Sequence, residues 1–600
     1  MNLISRQGIR LILKSAKIVW ESSPKWSIIN IFLVFIRGLI PLVLLYLIKL
    51  LIDEVSNTIL LPVENRTYTG ALIVVGYAGL LFLMNSLSAT LSTLAREKQS
   101  YQVNDYIQGL IYDKTTKIQY SFFENPDYQD VYFRAISDAN YRPTRIFYGL
   151  VGLIQNFITI ILLGGVLLTI NWWMSVILIF AVIPTAIQRM LYARKSFLLH
   201  RSQTEDERRL SYYNRLLTYR DYAKELRIFD LGNLFNIRLI TFRNLLRKEQ
   251  LKLLIRKTRG EIITLSFTTI VIIGFYSLIT INTIKGIISG GAMVMYFLAL
   301  QRGYGYFQEL LSKLSSLFED SLFIRNFVEF LNIELQLDDI KRDRLFPKKI
   351  SECIEFRNIK FKYEHSRNWV LNDVSFKINP GETIALVGIN GSGKTTLIKI
   401  LSGLYEPDEG QILIDNVELK EIDRSSLADN ISVIFQDFML YNVPARENIW
   451  FGNVKDKINE DGIVKAAQDA GVHQLFSNLP KGYDTLLGNL FKDSEQLSQG
   501  EWQRVALARS FYNNAQVIIL DEPTSSLDAF NEAKLISHFK EITKGKTSII
   551  ISHRLSTISL ADRIVVLKDS KLEEIGTYDE LISKKGVFFE MSQVLKNTLY

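Results

Sequence analysis

The chain has one cysteine in 600 residues, Cys353. A single thiol excludes an intrachain disulfide and a cysteine metal cluster, and it leaves the N-terminal half without a cysteine nucleophile. Charge is scarce as well: charged residues make up 22% of the chain, against 48% hydrophobic and 12% aromatic. That balance is apolar for a soluble protein of this length. The net charge is +8, but the basic residues form no stripe with interleaved aromatics, so nucleic acid is not an expected partner. Low-complexity tracts and short internal repeats are absent. So is a cleavable signal: the apolar segment after the basic residues 1–25 is too long for an h-region and ends in no small-residue cleavage site. What remains is a chain of two halves. Long apolar runs fill the first, and the second reads as globular, so two or more domains are expected.

Arg6, Arg10, Lys14 and Lys17 recur at helical spacing, with Ile9, Leu13, Ala16 and Trp20 on another stripe. Residues 1–25 therefore read as an amphipathic helix, lying in the membrane interface or on a protein surface. Residues 26–333 carry six apolar stretches, each to be compared with the about 20 residues a bilayer requires. They are Trp26–Ile52, Thr69–Leu91, Ile146–Ile170, Trp172–Gln188, Ile262–Ile284 and Ala292–Tyr306, and the fourth and sixth are short. Lysine and arginine gather before the first stretch and after the second and fourth. The other loops are acidic, tiny or nearly free of them, which places both termini in the cytoplasm.

Two connections between stretches are long, Ala95–Arg145 and Arg189–Arg259, and both keep helical periodicity. They read as membrane helices continuing into the cytoplasm and reversing there, or as small separate domains. The reversals are expected near Phe122–Asp127, where Asn125-Pro126-Asp127 stops a helix, and near Tyr212–Tyr222. A charged linker, 334–350, leads to the second domain, 351–600.

That domain centres on Ile384–Ile400. An apolar strand ends at Gly388, a loop of small residues follows, and a helix opens at Lys394-Thr395-Thr396. Gly388 to Thr395 fits G-x-x-x-x-G-K-[ST]. Triphosphate oxygens need several backbone N–H groups aimed at them, and glycine lets the backbone come close enough. The helix N-terminus adds its positive end. Lys394 supplies a point charge for the phosphates, and the Thr395 hydroxyl can ligate Mg²⁺. Further on, Val517–Leu520 is an apolar strand ending in Asp521 and Glu522. Asp521 is placed to hold Mg²⁺, and Glu522 to orient or deprotonate the attacking water. Ser498-Gln499-Gly500 opens another helix, as a second phosphate cap or as a plain N-cap.

With these residues in hand, the C-terminal half resembles the nucleotide-binding domain of ATP-binding-cassette (ABC) transporters, and the whole chain resembles ABC half-exporters. The resemblance implies an all-α six-helix transmembrane domain joined to an α/β P-loop ATPase. It makes Gly388, Asn390, Gly391, Ser392, Gly393, Lys394, Thr395 and Thr396 the phosphate loop. Gln436 would sense Mg²⁺ and the lytic water, and His553 would be the switch on the γ-phosphate. Tyr363 would stack on adenine. Ser498 and Gly500 would face the ATP of the partner subunit, and Asp528 would lie in the loop that crosses the dimer interface. ATP and Mg²⁺ are the implied ligands. The usual signature is Leu-Ser-Gly-Gly-Gln; here Gln499 and Glu501 replace its third and fifth residues, which bears on the rate of hydrolysis.

Lys394, Glu522 and His553 are all present, which favours a homodimer. Stretches such as Phe123–Tyr128, Lys224–Phe229, Ser432–Phe438 and Ala445–Ile449 resemble exporters of lantibiotics and related bacterial peptides. The expected protein is thus an ATP-driven exporter in a bacterial cytoplasmic membrane, with a peptide as cargo. The alternatives are a lipid or multidrug exporter and a non-transporting channel or sensor. The spans start almost at once and no cysteine precedes them, so a leader-cleaving peptidase is not expected.

Two charges fall inside the apolar stretches. Arg37 lies well within the first, and Arg302 near the inner end of the sixth. A charge facing lipid there costs about 2.5–3.5 kcal/mol, so each should face water, a protein partner or cargo. Arg37 shares a helical face with Asn30 and Pro41, and Arg302 with Glu309. Each is either satisfied by neighbouring side chains or lines an inward-facing cavity.

Overall fold

The computed structural model describes residues 6–139, 141–168, 172–333, 342–364, 366–524 and 543–597. Contacts divide the chain into two units: Met1–Ile118 with Pro126–Glu334, and Gln119–Asn125 with Leu335–Tyr600.

The first unit is helical. In chain order, α1 is Arg6–Ser22, α2 Pro24–Ile59 and α3 Thr69–Lys117; α4, Tyr120–Glu124, belongs by its contacts to the second unit. Then come α5 Pro126–Ala139, α6 Arg142–Leu168, α7 Trp172–Ser202, α8 Thr204–Thr218, α9 Arg220–Ile228, α10 Gly232–Ile284 and α11 Gly290–Leu331. Among the described residues four helices, α2, α3, α6 and α10, are long and apolar enough to cross a membrane. The stretches Trp172–Gln188 and Ala292–Tyr306 fall on α7 and α11. On α11 the apolar run is broken by Gln301, Arg302, Gln308 and Glu309. Large apolar side chains such as Phe32, Phe35, Leu72, Phe82, Ile263 and Ile270 stay exposed along these helices. So broad an apolar surface is lipid-facing rather than water-facing.

Helices α3 and α10 have 49 and 53 residues, more than twice the about 20 that a bilayer needs. Past α3 the chain breaks at Asn125, with Pro126 opening α5, where its missing N–H leaves no helical bond unmade. The second break opens within Tyr212–Tyr222: α8 ends at Thr218, and Tyr219 is extended at φ −90° and ψ 145°. From there the chain turns across α9 to Asp230, whose φ is 49°. The left-handed Asp230 before Gly232 is what stops the helix there.

Polar side chains pin these helices together. Asn30 Nδ2 donates to Gln99 Oε1 at 2.8 Å, and Gln99 Nε2 donates to Ser27 Oγ at 2.8 Å, joining α2 to α3. At their other ends α2 and α11 meet: Asp53 Oδ1 accepts from Ser289 Oγ at 2.8 Å and from Gly291 N at 3.1 Å. Asp320 on α11 is fully buried. It accepts from Arg142 Nη1 and from Arg145 Nε, both at 2.7 Å, at the start of α6.

In the second unit, four antiparallel strands run in the order β2-β1-β4-β5: Leu371–Ile378, Ile354–Phe361, Glu409–Ile414 and Val417–Glu418. A six-stranded sheet has the order β12-β11-β3-β10-β9-β6: Lys571–Gly576, Arg563–Lys568, Thr383–Gly388, Thr547–Ile551, Val517–Asp521 and Ile431–Ile434. It is parallel from β11 to β6, with β12 antiparallel on its edge. A two-stranded pair, β7 Leu486–Leu487 and β8 Ser494–Glu495, stands apart. Strands β3, β9 and β10 are buried on both faces, which is why they read as unbroken apolar runs. Phe346 and Ile350, from the stretch before β1, are buried in the same core.

Removing Asp320 would take from Arg142, itself buried, the carboxylate it donates to at 2.7 Å. Breaking a buried pair in this way costs about 3–5 kcal/mol. Asp320→Ala is therefore expected to lower the melting temperature of the detergent-solubilised protein and its yield, with Asp320→Glu recovering part of both.

Candidate active site

Parallel strands β3, β10 and β9 are neighbours, so whatever follows their C-terminal ends is brought to one edge of the sheet. That edge is where ligands bind in open α/β sheets. After β3 come Gly388 and the loop to Gly393, and the helix Lys394–Leu401 begins at once. Gly393 has φ 101°, and a Cβ there would run into Val370 and Leu371. At Gly388 a Cβ would collide with the Leu567 carbonyl and Ser392 Oγ. Asn390 and Gly391 are exposed at the rim, while Ser392 is buried with its hydroxyl unpaired. Lys394 is also buried, and its Nζ donates to the carbonyls of Gly388 at 2.8 Å and Ile389 at 3.1 Å. Burial lowers the Lys394 pKa, against the pull of Asp521 and Glu522.

Thr395 Oγ1 donates to Asp521 Oδ2 at 3.0 Å, which brings the two expected Mg²⁺ ligands together. The Asp521 carboxyl is pushed up to about 6, mainly by burial, with the Thr395 bond working the other way. Gln436 Nε2 donates to Glu522 Oε2 at 2.9 Å, so this residue reaches the same corner. An oxygen-only donor set with few protein ligands suits Mg²⁺, which keeps several of its waters.

Glu522 is the hub. Its φ of 51° is left-handed, an uncommon backbone for a residue with a side chain. The strain is held by two bonds on its own main chain: Glu522 N donates to the Ile551 carbonyl at 3.0 Å, and Gln503 Nε2 donates to the Glu522 carbonyl at 3.0 Å. Its carboxylate lies 3.3 Å from His553 Nε2. Burial first, and Lys394 second, lower the His553 pKa, which favours a neutral ring at pH 7. Gln503 was not singled out by its sequence context. It stands one turn beyond Ser498, and only the fold shows that it grips Glu522.

Two expected roles meet a different local geometry. The Tyr363 hydroxyl is hydrogen-bonded to Thr396 Oγ1 at 3.0 Å, and its ring packs edge-on against Phe361 and Tyr405. Ser498 caps the helix Gln499–Tyr512 in a reciprocal box: its Oγ accepts from Glu501 N at 3.3 Å, and Glu501 Oε2 accepts from Ser498 N at 2.7 Å and from Ser498 Oγ at 2.8 Å. Gly500 lies in the first turn of that helix. Asp528 lies outside the described residues. Arg37 and Arg302 belong to the first unit and take no part in this site. Arg302 does not pair with Glu309, which instead meets Lys313 at 2.6 Å.

Fold and site together define a P-loop ATPase carried on a helical membrane unit. The family model for the ABC transporter matches residues 371–525. The subtilin transport ATP-binding protein SpaT of Bacillus subtilis is 29% identical over 93% of this chain and 90% of its own length. The nisin transport ATP-binding protein NisT of Lactococcus lactis subsp. lactis is 27% identical over 96% of this chain and 94% of its own length. A solved structure of a bacterial Atm1-family ABC exporter with ATP bound superposes with a TM-score of 0.80 at 21% identity, covering 95% of this chain and 98% of that one. The chain is an ABC half-exporter, a multi-pass membrane protein with its ATP-binding cassette fused to the membrane helices. It binds ATP and couples ATP hydrolysis to export.

The site generates two predictions. An acid whose pKa is raised on folding costs stability above that pKa, because its charged form is the buried one. At pH 7.5 Asp521→Asn should therefore raise the melting temperature of the nucleotide-free protein and at the same time abolish ATP hydrolysis; a lower melting temperature would contradict the argument. Glu501 places a carboxylate on the Ser498 hydroxyl at a helix N-terminus that the resemblance turns towards ATP. Glu501→Gln, which removes that charge, should lower the KM for ATP by about three- to tenfold in a steady-state ATPase assay, an effect of about 1 kcal/mol.

Proposed function

We propose that two copies of this chain form a homodimer in a bacterial cytoplasmic membrane, with both termini in the cytoplasm, and export a lantibiotic-like peptide. The observation that carries this reading is likeness over 93% and 96% of the chain to transporters named for subtilin and nisin. Homodimerisation is supported by the presence of Lys394, Glu522 and His553 in one chain, which lets two identical subunits each supply a full catalytic set.

ATP would lie between Lys394 of one subunit and Ser498, Gly500 and Asp528 of the partner subunit. Tyr363 would leave Thr396 and stack on adenine. Mg²⁺ would be held by Thr395 and Asp521, with Gln436 in reach, and would neutralise phosphate charge. Lys394 would exchange its loop carbonyls for phosphate oxygens. Glu522, its carboxylate steadied by Gln436, would accept a proton from the water that attacks the γ-phosphorus. The neutral His553 ring would donate an N–H to the γ-phosphate. Binding of ATP closes the pair of cassettes, hydrolysis reopens it, and the membrane unit alternates between inward and outward access.

Glu522→Gln keeps the shape of the side chain but removes the base. In proteoliposomes it should retain ATP binding and lose at least about a hundredfold in turnover, since a general base contributes about 10²–10⁴. Near-normal turnover would remove Glu522 from that role. Uptake of lipids or drugs, and not of peptides, by inverted vesicles would move the cargo to the other exporter class.

A further inference from the structure

The membrane unit contains a group of charges that the ATPase reaction does not use. Arg37 is on α2, Arg96 on α3, and Arg302, Glu309 and Lys313 are on α11. Their depth follows from the bond between Asp53 and Gly291 at the far ends of α2 and α11. At about 1.5 Å per residue, Arg302 lies about 17 Å along α11 from Gly291, and Arg37 about 24 Å along α2 from Asp53. Both distances fall within a hydrocarbon core about 30 Å thick.

The side chains act on one another. The Tyr306 hydroxyl lies in the field of Arg302, Glu309 and Arg37, and Arg96 lies in that of Arg37 and Glu309. Lys313 pairs with Glu309 at 2.6 Å, and the Arg96 guanidinium sits over the Tyr148 ring, 5.1 Å from its centroid. This region thus holds four cations and the carboxylate of Glu309, which Lys313 alone of the four contacts directly. Among the described residues, no hydrogen bond or ion pair engages the guanidinium of Arg37 or Arg302, and Arg37 Nε is buried without an acceptor.

Neutral polar groups beside them are unmet as well. Asn156 on α6 is fully buried, with both amide atoms unpaired. It lies on the stripe of α6 that carries Gly149 and Gly152, whose faces meet Leu317 and Lys313 of α11. One turn further along that contact is the level of Glu309. Gln308 Oε1 is buried and unpaired too. Unmet cations and amides at this depth are costly and mark a place where a ligand completes the bonding.

We propose that Arg37 and Arg302, backed by Arg96 and Lys313, form the recognition site for a carboxylate of the exported peptide. Asn156 and Gln308 serve its neighbouring amide groups. The guanidinium fork matches a carboxylate in two parallel bonds, and neutral amides beside it match a peptide backbone. This assignment rests on the peptide-export reading above.

The test uses the full-length protein, free of nucleotide, in phosphatidylcholine nanodiscs. The probe is a fluorescent N-acetylated apolar dodecapeptide made both as the free acid and as the C-terminal amide. The free acid should bind at least about tenfold more tightly, the difference that one charge-assisted hydrogen bond supplies. The double substitution Arg37→Gln and Arg302→Gln should bring the ratio to about one, and Arg37→Lys with Arg302→Lys should keep most of it. Should the glutamine variant fail to fold, the wild-type ratio and the lysine variant still decide. Equal binding of acid and amide, or a ratio that survives the glutamine substitutions, overturns the proposal. So does loss of the preference when phosphatidylglycerol replaces phosphatidylcholine, which would assign the site to an anionic lipid headgroup. Absence of binding by either peptide overturns it too, and if ATP turnover persists the exporter reading still stands.

Discussion

The parallel pairing of β3, β10 and β9 is the constraint on which the catalytic geometry depends. Neighbouring strands lie about 4.8 Å apart, so three consecutive strands bring their ends within about 10 Å of one another. Gly388, Asp521 and the Ser552–His553 turn stand at those ends. A one-residue slip between β9 and β10 would carry Asp521 away from Thr395 and break the contact between Glu522 N and the Ile551 carbonyl. Burial on both faces sets the register, because every residue of these strands has a packing partner to lose. The left-handed backbone of Glu522 follows from the same frame. It turns the chain sharply at the end of β9 and leaves the carboxylate between Gln436 and His553 instead of inside the core.

A second consequence concerns Gln119–Asn125, the short stretch of the helical half that groups with the ATPase unit. The Tyr405 hydroxyl donates to the Glu124 carboxylate, and Lys399 Nζ lies 3.5 Å from it. Lys399 also stands over the rings of Tyr120, Tyr363 and Tyr405. Lys399 is on the helix that follows the phosphate loop, and Tyr363 is bonded to Thr396 on that same helix. The clasp on Glu124 and the loop that would receive ATP therefore share one short rigid element. A shift of the helix Lys394–Leu401 on ATP binding has a direct physical route to the segment between α3 and α5.

The elements legible in the sequence are those whose chemistry is local. Gly388–Thr395 announces itself because strand, glycine loop, lysine and helix start follow one another without a gap. Asp521 and Glu522 are legible because two carboxylates close an apolar strand. Less legible were features that depend on tertiary contact. Gln503 looks like any helix residue until the fold brings it to the Glu522 carbonyl. Glu501 reads as a departure from a signature, whereas in the structure it completes the cap on Ser498. The second break is legible at Tyr212–Tyr222, where α8 gives way to α9 after Thr218, whereas the left-handed Asp230 that completes the turn is not. The four membrane-length helices follow directly from composition, whereas α11 shows only the short run Ala292–Tyr306, because its polar residues dilute it.

That dilution is itself informative when set against the rest of the helical unit. Several polar side chains that hold helices together are met across the contact. Asp320 answers two arginines, Asp53 answers the start of α11, and Gln99 meets both Asn30 and Ser27. These contacts have a sufficient structural explanation. Arg37 Nε and the amide of Asn156 differ, because they are buried without bonds that offset the desolvation. A helix such as α11 could satisfy its packing with apolar residues at Arg302 and Gln308, and would cross the bilayer more readily if it did. Stability alone therefore gives no reason for charge at these positions. The proposed peptide carboxylate would supply the missing bonds, and its negative charge would match the sign of Arg37 and Arg302.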